Sequence, residues 1–457
     1  MTDKRTEKDS LGTMEVPAGA LWGAQTQRAI ENFPVSGQPM PPAFIRALAH
    51  VKKTAALANQ SLKILDLERT NAIVEACEQI IRGNHADQFP VDRYQTGSGT
   101  STNMNMNEVL ARLASTDRLT VHPNDHVNMS QSSNDVIPTT IHVSCVLDTA
   151  GRLLPALEQL EKRLRKLSEQ YAEQVKTGRT HLMDAMPVTL GQEFQTWADQ
   201  LYAASKRIEV AMGGLLELPQ GGTAVGTGVN ADERFAPEFC KLLAADLRMA
   251  FFPLNNKAVA QSGIDAPVAL SGQLRGLAIL LMKIANDLRW MNSGPIHGLS
   301  ELSLPALQPG SSIMPGKVNP VIPESVAMVS AQVMGLDASI GIAGQSGNFQ
   351  LNVMLPLVGA NLLEMLELLT NSAIILKDKA LHDIQVNADR LNEGVSKNPV
   401  LVTALNPELG YSKASEIAKE AYRSGRPVID VAEEMSDLSR EKLEELLDPL
   451  KLTRGGL

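Results

Sequence analysis

The chain has 457 residues, of which 44% are hydrophobic, 20% charged and only 4% aromatic, and its formal net charge is -9 at pH 7. One hydrophobic core usually stops growing at about 250–300 residues, so this length predicts two or three domains, and the composition excludes a disordered chain. The acidic balance, with no basic block, argues against a nucleic-acid partner, and a core of aliphatic side chains favours helices.

The cysteines and the first residues of the chain indicate the cellular compartment. Cys77, Cys145 and Cys240 are far apart and lack CxxC spacing, which is typical of a reducing compartment without a zinc ribbon. The first ten residues have no apolar run, and nowhere do about 20 apolar residues follow one another without a charge. These features predict a cytoplasmic protein with no membrane partner.

Residues 1–131 contain short helical stretches broken by prolines, and we predict a mixed, mainly helical N-terminal domain there. Within it, residues 95–103 read QTGSGTSTN, a run of small hydroxyl and amide side chains around Ser98, Gly99 and Thr100. Such side chains hydrogen-bond carboxylate oxygens without adding charge. A cluster of N-caps and turns explains this run about as well.

The next polar segment contains His122, Pro123, Asn124, Asp125 and His126. Its histidine spacing could hold zinc, but His-Pro-Asn-Asp also favours a turn with an N-cap, and no third His or Cys is near. We therefore predict that no metal binds here.

Residues 132–388 are predicted to form a central bundle of long helices. The region opens with Ser132, Ser133 and Asn134. Like residues 95–103, these hydroxyl and amide side chains could bind carboxylate oxygens, and an N-cap and turn cluster explains them about as well. After them, five segments place apolar residues alternately four and three positions apart, which puts each set on one helix face. The segments run from Leu153 to Tyr171, Leu190 to Ile208, Leu270 to Met291, Val326 to Ile340 and Leu362 to Leu376.

Two loops between these helices carry candidate chemistry. The first contains Thr180 and His181, and the imidazole of His181 is the best candidate for a general acid, although a single histidine is more often structural. The second, residues 221–228, loosely resembles a dinucleotide fingerprint, but no strand pattern precedes it, so a plain loop is the better interpretation.

Residues 310–320, GSSIMPGKVNP, are the most informative stretch. Ser311 and Ser312 follow a glycine whose neighbouring N–H groups could bind an anion, Lys317 adds a full charge, and Asn319 adds amide donors. Alone, this pattern is more often a helix connector. After residue 388 the helices again become short, and residues 389–457 are predicted to form a small C-terminal helical domain.

These segments together resemble the fumarase/aspartase superfamily over nearly the whole chain. Residues 310–320 match its signature loop, and residues 21–28 and 398–411 are similar to class II fumarases. The resemblance implies an all-α, three-domain fold with a five-helix central bundle. It further implies a homotetramer with a core of about 20 helices and active sites shared by three subunits.

The aspartate ammonia-lyases are the nearest competitor in the superfamily. Ser98, His122, His181 and Gly316 stand where that branch typically has Ala, Asn, Gln and Ala, and so favour fumarase. Residues 321–323, Val-Ile-Pro, resemble the ammonia-lyases more. A catalytically silent structural relative and, more distantly, a metal hydrolase on a helical bundle remain alternatives.

For a class II fumarase, the resemblance implies reversible, stereospecific hydration of fumarate to (S)-malate in the tricarboxylic acid cycle, without metal or cofactor. Ser311 would be the base that takes the C3 proton of malate, which gives an aci-carboxylate intermediate. His181, with Thr180 and a water, would protonate the departing hydroxyl, and Glu324 would orient His181. The implied substrate-binding residues are Ser98, Gly99, Thr100, Ser132, Ser133, Asn134, Thr180, Ser312, Lys317, Val318 and Asn319. An implied secondary anion site comprises His122, Pro123, Asn124 and Asp125.

Overall fold

The computed structural model describes residues 3–310 and 312–455, and this part of the chain is mainly helical. The helices are α1 (Ala24–Asn32), α2 (Pro42–Ser61), α3 (Leu67–Ile81), α4 (Thr100–Ala114), α5 (Ser133–Asp148), α6 (Leu154–Gln170), α7 (Leu190–Gly213), α8 (Phe235–Leu247), α9 (Val259–Ser262), α10 (Asp265–Met291), α11 (Val321–Gly344), α12 (Leu355–Ile375), α13 (Ala388–Ser396), α14 (Asn406–Ser424), α15 (Val428–Met435), α16 (Arg440–Leu446) and α17 (Pro449–Leu452). The predicted all-α class is confirmed.

The strands form small two-stranded sheets. They are β1 (Lys4–Asp9) with β2 (Gly12–Pro17), β3 (Val175–Thr180) with β4 (Met183–Thr189), β5 (Glu217–Leu218) with β6 (Phe252–Pro253), and β7 (Leu302–Ser303) with β8 (Gln385–Val386). The β5–β6 pair is parallel and the others are antiparallel.

The five predicted apolar stripes lie on the long helices α6, α7, α10, α11 and α12. Every stripe position of α10, from Leu270 to Met291, is at most 3% exposed. Since spacing of 3.5 residues keeps side chains on one helix face, these positions build the core as predicted. Asp337 of α11 accepts hydrogen bonds from Ser271 and Arg275 of α10, at 2.6 and 2.9 Å, which ties these two helices together.

The chain divides into two compact units. Unit 1 comprises Met1–Pro155, Ala204–Ala278 and Val329–Thr370, and unit 2 comprises Ala156–Ala203, Ile279–Met328 and Asn371–Leu457. Within unit 2, the short helices near the C-terminus enclose a hydrophobic cluster of their own, around Leu405, Ile417 and Val431, which are fully buried. The three predicted domains, with boundaries near residues 131 and 388, stay a prediction.

Three helical segments are long and apolar enough to cross a membrane by length and composition alone: Asp265–Met291, Val321–Gly344 and Leu355–Ala380. The sequence predicts no such segment because charges interrupt each apolar run, and these helices do carry Arg275 and Asp337. A helix that is apolar around most of its circumference belongs either in a membrane or in the interior of a large helical assembly.

One face of α11 is left open in the single chain. Ile342 is 59% exposed, and Ala331, Gly335 and Ala338 on the same face are exposed as well. We call these four residues the α11 stripe. Their spacing of four, three and four positions is that of a helix-packing seam.

Candidate active site

The polar run at residues 95–103 forms the entry to α4. Gly99 is the N-cap and has φ +74°, and a Cβ at this position would lie 2.8 Å from Cγ1 of Ile137 in α5. Only glycine combines this backbone conformation with so close an approach. Next to it, the hydroxyl oxygens of Ser98 and Thr100 lie 2.9 Å apart.

The loop before α4 packs against, and hydrogen-bonds to, the start of α12. A Cβ on Gly97 would lie 1.8 Å from the carbonyl oxygen of Val353, and the Leu355 N–H donates to the carbonyl of Gly97 at 3.0 Å. The position of Ser98 therefore depends on a contact more than 250 residues away in the sequence.

The second polar segment starts α5 with a capping box. Ser132 Oγ accepts the N–H of Asn134 at 3.2 Å, and Asp135 Oδ1 accepts the N–H of Ser132 at 2.8 Å. The other Asp135 oxygen accepts the N–H groups of Gly221 and Thr223, at 3.0 and 2.9 Å. Residues 221–228 thus form a loop, as predicted, and its first turn closes over α5.

The Asp135 carboxylate is fully buried. Burial raises its pKa to about 6, against the opposing effect of the three N–H donors. Its role is to satisfy backbone groups, because both of its oxygens accept N–H groups of the α5 N-terminus or of the glycine-rich loop.

The two polar segments meet. Asn103 of α4 donates its Nδ2–H to Ser133 Oγ at 2.9 Å, and Gly99 packs on Ile137 one turn further along α5. Helix N-termini carry partial positive charge and free N–H groups, so two of them side by side, lined by hydroxyls, form an anion-binding arrangement. Unit 1 therefore brings together Ser98, Gly99, Thr100, Ser132, Ser133 and Asn134.

The His122 segment is a capped helical turn, as the turn interpretation predicts. Pro123–Val127 forms a π-helical turn in which His122 Nδ1 accepts the Asp125 N–H at 3.2 Å and His126 Nδ1 accepts the His122 N–H at 2.8 Å. Burial lowers the pKa of His126, and the charge of Arg69 lowers it further. Within residues 3–310 and 312–455, no group of three or more His, Cys, Asp or Glu could hold a metal ion.

The segment that carries His181 is a β-hairpin, where the sequence predicts only a loop. His181 and Leu182, with φ +57° and +62°, form the two-residue turn between β3 and β4. Such turns usually contain Asn-Gly, and the absence of that signal explains why the hairpin is missed. Thr180 and His181 are exposed at its tip.

A buried ionic cluster anchors this hairpin. Lys176 Nζ lies 2.7 Å from Glu193 and 2.6 Å from Glu301, and Arg179 lies 2.5 Å from the second Glu301 oxygen. Sequence patterns give no signal for these side chains, or for a neighbouring cavity of about 550 Å³ that Lys176, Arg179 and Trp197 help to line. None of the predicted site residues that the structure describes lines that cavity.

The signature loop and the start of α11 border a second cavity, of about 430 Å³. Its lining includes Lys317, Val318, Asn319 and Glu324. Lys317 Nζ donates to Asn319 Oδ1 at 2.7 Å, and a Cβ on Gly310 would lie 1.9 Å from the Lys317 carbonyl oxygen. Glycine at 310 thus lets the two ends of the loop approach each other.

Two further predicted residues belong to this loop. Ser312 is exposed, and Ser311, the predicted base, lies outside the described residues.

The same cavity contains residues that sequence reasoning misses. Asn286 and Arg289 of α10 line it, and Arg289 donates to Asn286 Oδ1 at 3.0 Å. The one signal in the sequence is their position three residues apart, on the polar side of α10, where the chain enters the Asn292-Ser293-Gly294 turn. Arg289 and Lys317 supply two cations to one small space.

The predicted pair of His181 and Glu324 is not joined within one chain. Among the described residues, no hydrogen bond or ion pair connects these two side chains. Their predicted partnership stays a prediction.

Comparison with known proteins places these features in a class. The family model described as "Lyase" matches residues 12–335, and the one described as "Fumarase C C-terminus" matches residues 401–454. The chain is therefore a lyase by family.

Individual relatives narrow the class. The chain is 58% identical to fumarate hydratase class II 2 of Pseudomonas aeruginosa over 100% of both chains, and 54% identical to fumarate hydratase class II of Xylella fastidiosa over 99% and 96%. The crystal structure of a recombinant class II fumarase from Schistosoma mansoni superposes with a TM-score of 0.95 at 40% identity and covers 99% of each chain. The chain belongs to the class II fumarate hydratase family.

The contact between Gly99 and Ile137 predicts how much a methyl group costs at the α4 N-cap. Gly37→Ala is the matched control, because Gly37 has a similar φ of +70° but a Cβ there would meet nothing within 4 Å. The control should cost about 1–2 kcal/mol through backbone strain alone. Gly99→Ala should cost a further ~1–3 kcal/mol from overpacking, as measured by guanidinium unfolding. Equal losses in the two variants would show that the two helices are not in tight contact.

Proposed function

We propose that this protein catalyses the reversible, stereospecific hydration of fumarate to (S)-malate without a metal or other cofactor. The observation that carries the proposal is the cavity where Lys317, Asn319 and Glu324 lie with Arg289. A dicarboxylate has two negative ends, and unit 1 offers a second, uncharged anion-binding arrangement at the N-termini of α4 and α5. Family membership supports the same reaction.

The proposed chemistry begins at C3 of malate. Ser311 takes the C3 proton, and the electron pair moves into the adjacent carboxylate to give an aci-carboxylate. Lys317 and Asn319 stabilise the charge where it develops, which lowers a barrier more than uniform substrate binding does. A serine hydroxyl is a weak base in water, so the proposed mechanism needs the cations Lys317 and Arg289 to favour its ionised form.

The second half of the reaction expels the C2 hydroxyl. His181, with Thr180 and a water, delivers a proton to that oxygen, and Glu324 orients the imidazole. Ser98, Thr100, Ser132, Ser133 and Asn134 hold the carboxylates through hydroxyl and amide groups. In the reverse direction the same groups activate water and return a proton to C3.

We further propose that the protein is a homotetramer in which three subunits contribute to each active site. The exposed α11 stripe supports this, since small residues and Ile342 at packing spacing favour a second copy of the helix. Four sets of five long helices would form a core of about 20 helices. The three cysteines are free and buried, which supports the cytoplasm as the compartment.

Fumarate hydration is the direct assay. Mixing purified protein with fumarate should lower the ultraviolet absorbance of the double bond, with and without ammonium, and exhaustive chelation should leave the rate unchanged. Product analysis should find malate and no aspartate. Aspartate formation in ammonium would instead assign the chain to the ammonia-lyases, and activity lost to chelation and restored by a divalent ion would assign a metal mechanism.

Replacement of the proposed base tests the mechanism. Ser311→Ala should lower kcat by about 10³-fold or more, since it removes the group that takes the C3 proton. The control is Ser424→Ala at the exposed end of α14, where the hydroxyl donates to the Glu420 carbonyl of its own helix, and it should keep full activity. Near-normal turnover by Ser311→Ala with an intact assembly would remove Ser311 from the role of base.

A charge on the α11 stripe tests the assembly. Ala338→Glu should convert the tetramer to smaller species and abolish hydration, because a buried unpaired carboxylate costs several kcal/mol at each symmetric contact. The control is Ala245→Glu on the exposed side of α8, which should stay tetrameric. Light scattering after size exclusion gives the mass. A tetrameric, active Ala338→Glu protein would place the interface elsewhere.

A further inference from the structure

Lys52 of α2 is an unusual buried cation. Its side chain is fully buried, and its Nζ donates to two neutral acceptors, Asn128 Oδ1 at 2.9 Å and Gln131 Oε1 at 3.1 Å. Among the described residues, no carboxylate forms an ion pair with it. Burial lowers the pKa of Lys52 to about 7, while the more distant Asp135 opposes that shift.

The next residue shows what a structural lysine looks like in the same helix. Lys53 is 6% exposed and pairs with Glu78 at 2.9 Å and with Asp246 at 2.5 Å. Lys52 lacks such compensation, and a methionine of similar length would fill its space without the desolvation cost. Stability alone therefore does not explain a lysine at this position, and the contacts that it makes point to a use.

Those contacts all lead to the segment before α5. Asn128 Oδ1 also accepts Nδ2–H groups from Asn103 and Asn107 of α4, each at 3.2 Å. Gln131 in turn donates to the backbone carbonyls of Val127 and Met129, at 3.1 and 3.0 Å. The Lys52 ammonium thus connects Asn128 and Gln131, and the hydrogen bonds of these two side chains hold residues 127–131 in place.

The same segment is held in a strained backbone conformation. Ser130 has φ +61°, which is uncommon for a residue other than glycine. Its hydroxyl donates to Asn59 Oδ1 at 2.7 Å, and Asn59 donates to the Met129 carbonyl at 3.0 Å. Strain of this kind persists only where the surroundings over-determine the backbone.

We propose that Lys52 is a positioning residue for substrate binding: through Asn128 and Gln131 it sets the conformation of residues 128–132 and so aims Ser132, Ser133 and Asn134 at a substrate carboxylate. This inference rests on the proposed function, because it names the dicarboxylate as the ligand of that segment. Lys52 itself does not contact the substrate.

The test compares Lys52→Met with Lys53→Met in the full-length assembled protein. Lys52→Met should raise the KM for fumarate about tenfold or more and lower kcat by less than about threefold. A misplaced binding segment weakens substrate binding more than it slows the chemical step. Lys53→Met should lower the unfolding midpoint yet leave KM within about twofold. A similar KM rise in both variants, or in neither, overturns the inference.

A second variant tests the inference if Lys52→Met does not fold. Gln131→Met removes one acceptor and leaves the cation in place, and it should raise KM in the same direction by a smaller factor. A further readout separates positioning from general destabilisation: the KM increases of Lys52→Met and Asn134→Ala should combine to less than their product, whereas those of Lys53→Met and Asn134→Ala should multiply. A normal KM in Gln131→Met, or multiplying effects for Lys52 and Asn134, overturns the inference.

Calorimetric binding of succinate, a dicarboxylate without the double bond, separates this inference from the proposed function. If the wild-type protein binds succinate but does not hydrate fumarate, the proposed reaction is wrong, and weaker succinate binding by Lys52→Met alone still supports the inference. If the wild-type protein binds no dicarboxylate, both are overturned.

Discussion

The buried carboxylate of Asp135 is the interaction on which the candidate site depends most. Its two oxygens accept the N–H groups of Ser132, Gly221 and Thr223, at 2.8, 3.0 and 2.9 Å, and so join the start of α5 to the glycine-rich loop. A buried carboxylate is costly unless such donors surround it. Asp135 satisfies these backbone groups from inside. The Ser133 hydroxyl accepts the Asn103 amide and the Asn134 amide donates to the Ala224 carbonyl, each at 2.9 Å, so both side chains are held in place at the start of α5.

Under the proposed function, each unit supplies a different kind of group for binding an anion. In unit 1 the groups are neutral and are carried by rigid helix N-termini that α4 and α5 hold together through Asn103 and Ser133. In unit 2 the groups are charged, Lys317 and Arg289, and they border a loop rich in glycine and proline. In the proposed reaction, the neutral groups hold the carboxylate whose charge stays constant, and the cations stabilise the one whose charge grows.

Local patterns are enough to predict the long helices, because spacing of 3.5 residues is a property of the sequence itself and the α10 stripe is buried as expected. They are also enough to find the polar segments around Ser98, Ser132 and Lys317. The β3–β4 hairpin is missed because its turn, His181-Leu182, lacks the usual residues. Asn286 and Arg289 are missed because only the folded chain places them beside the signature loop, and the contact of Gly97 with Val353 has no local signal at all.

The proposed mechanism requires that one four-carbon dicarboxylate is held by the neutral helix N-termini at one end and by the cationic loop at the other, with these groups coming from different subunits. A crystal structure of the assembled protein with bound succinate tests it most directly. We expect one carboxylate within hydrogen-bond distance of Ser98, Thr100 or the Ser132–Asn134 segment, and the other beside Lys317 and Asn319, with these groups contributed by more than one subunit. Succinate bound to only one of these two groups, or at a site that contains neither, would contradict it.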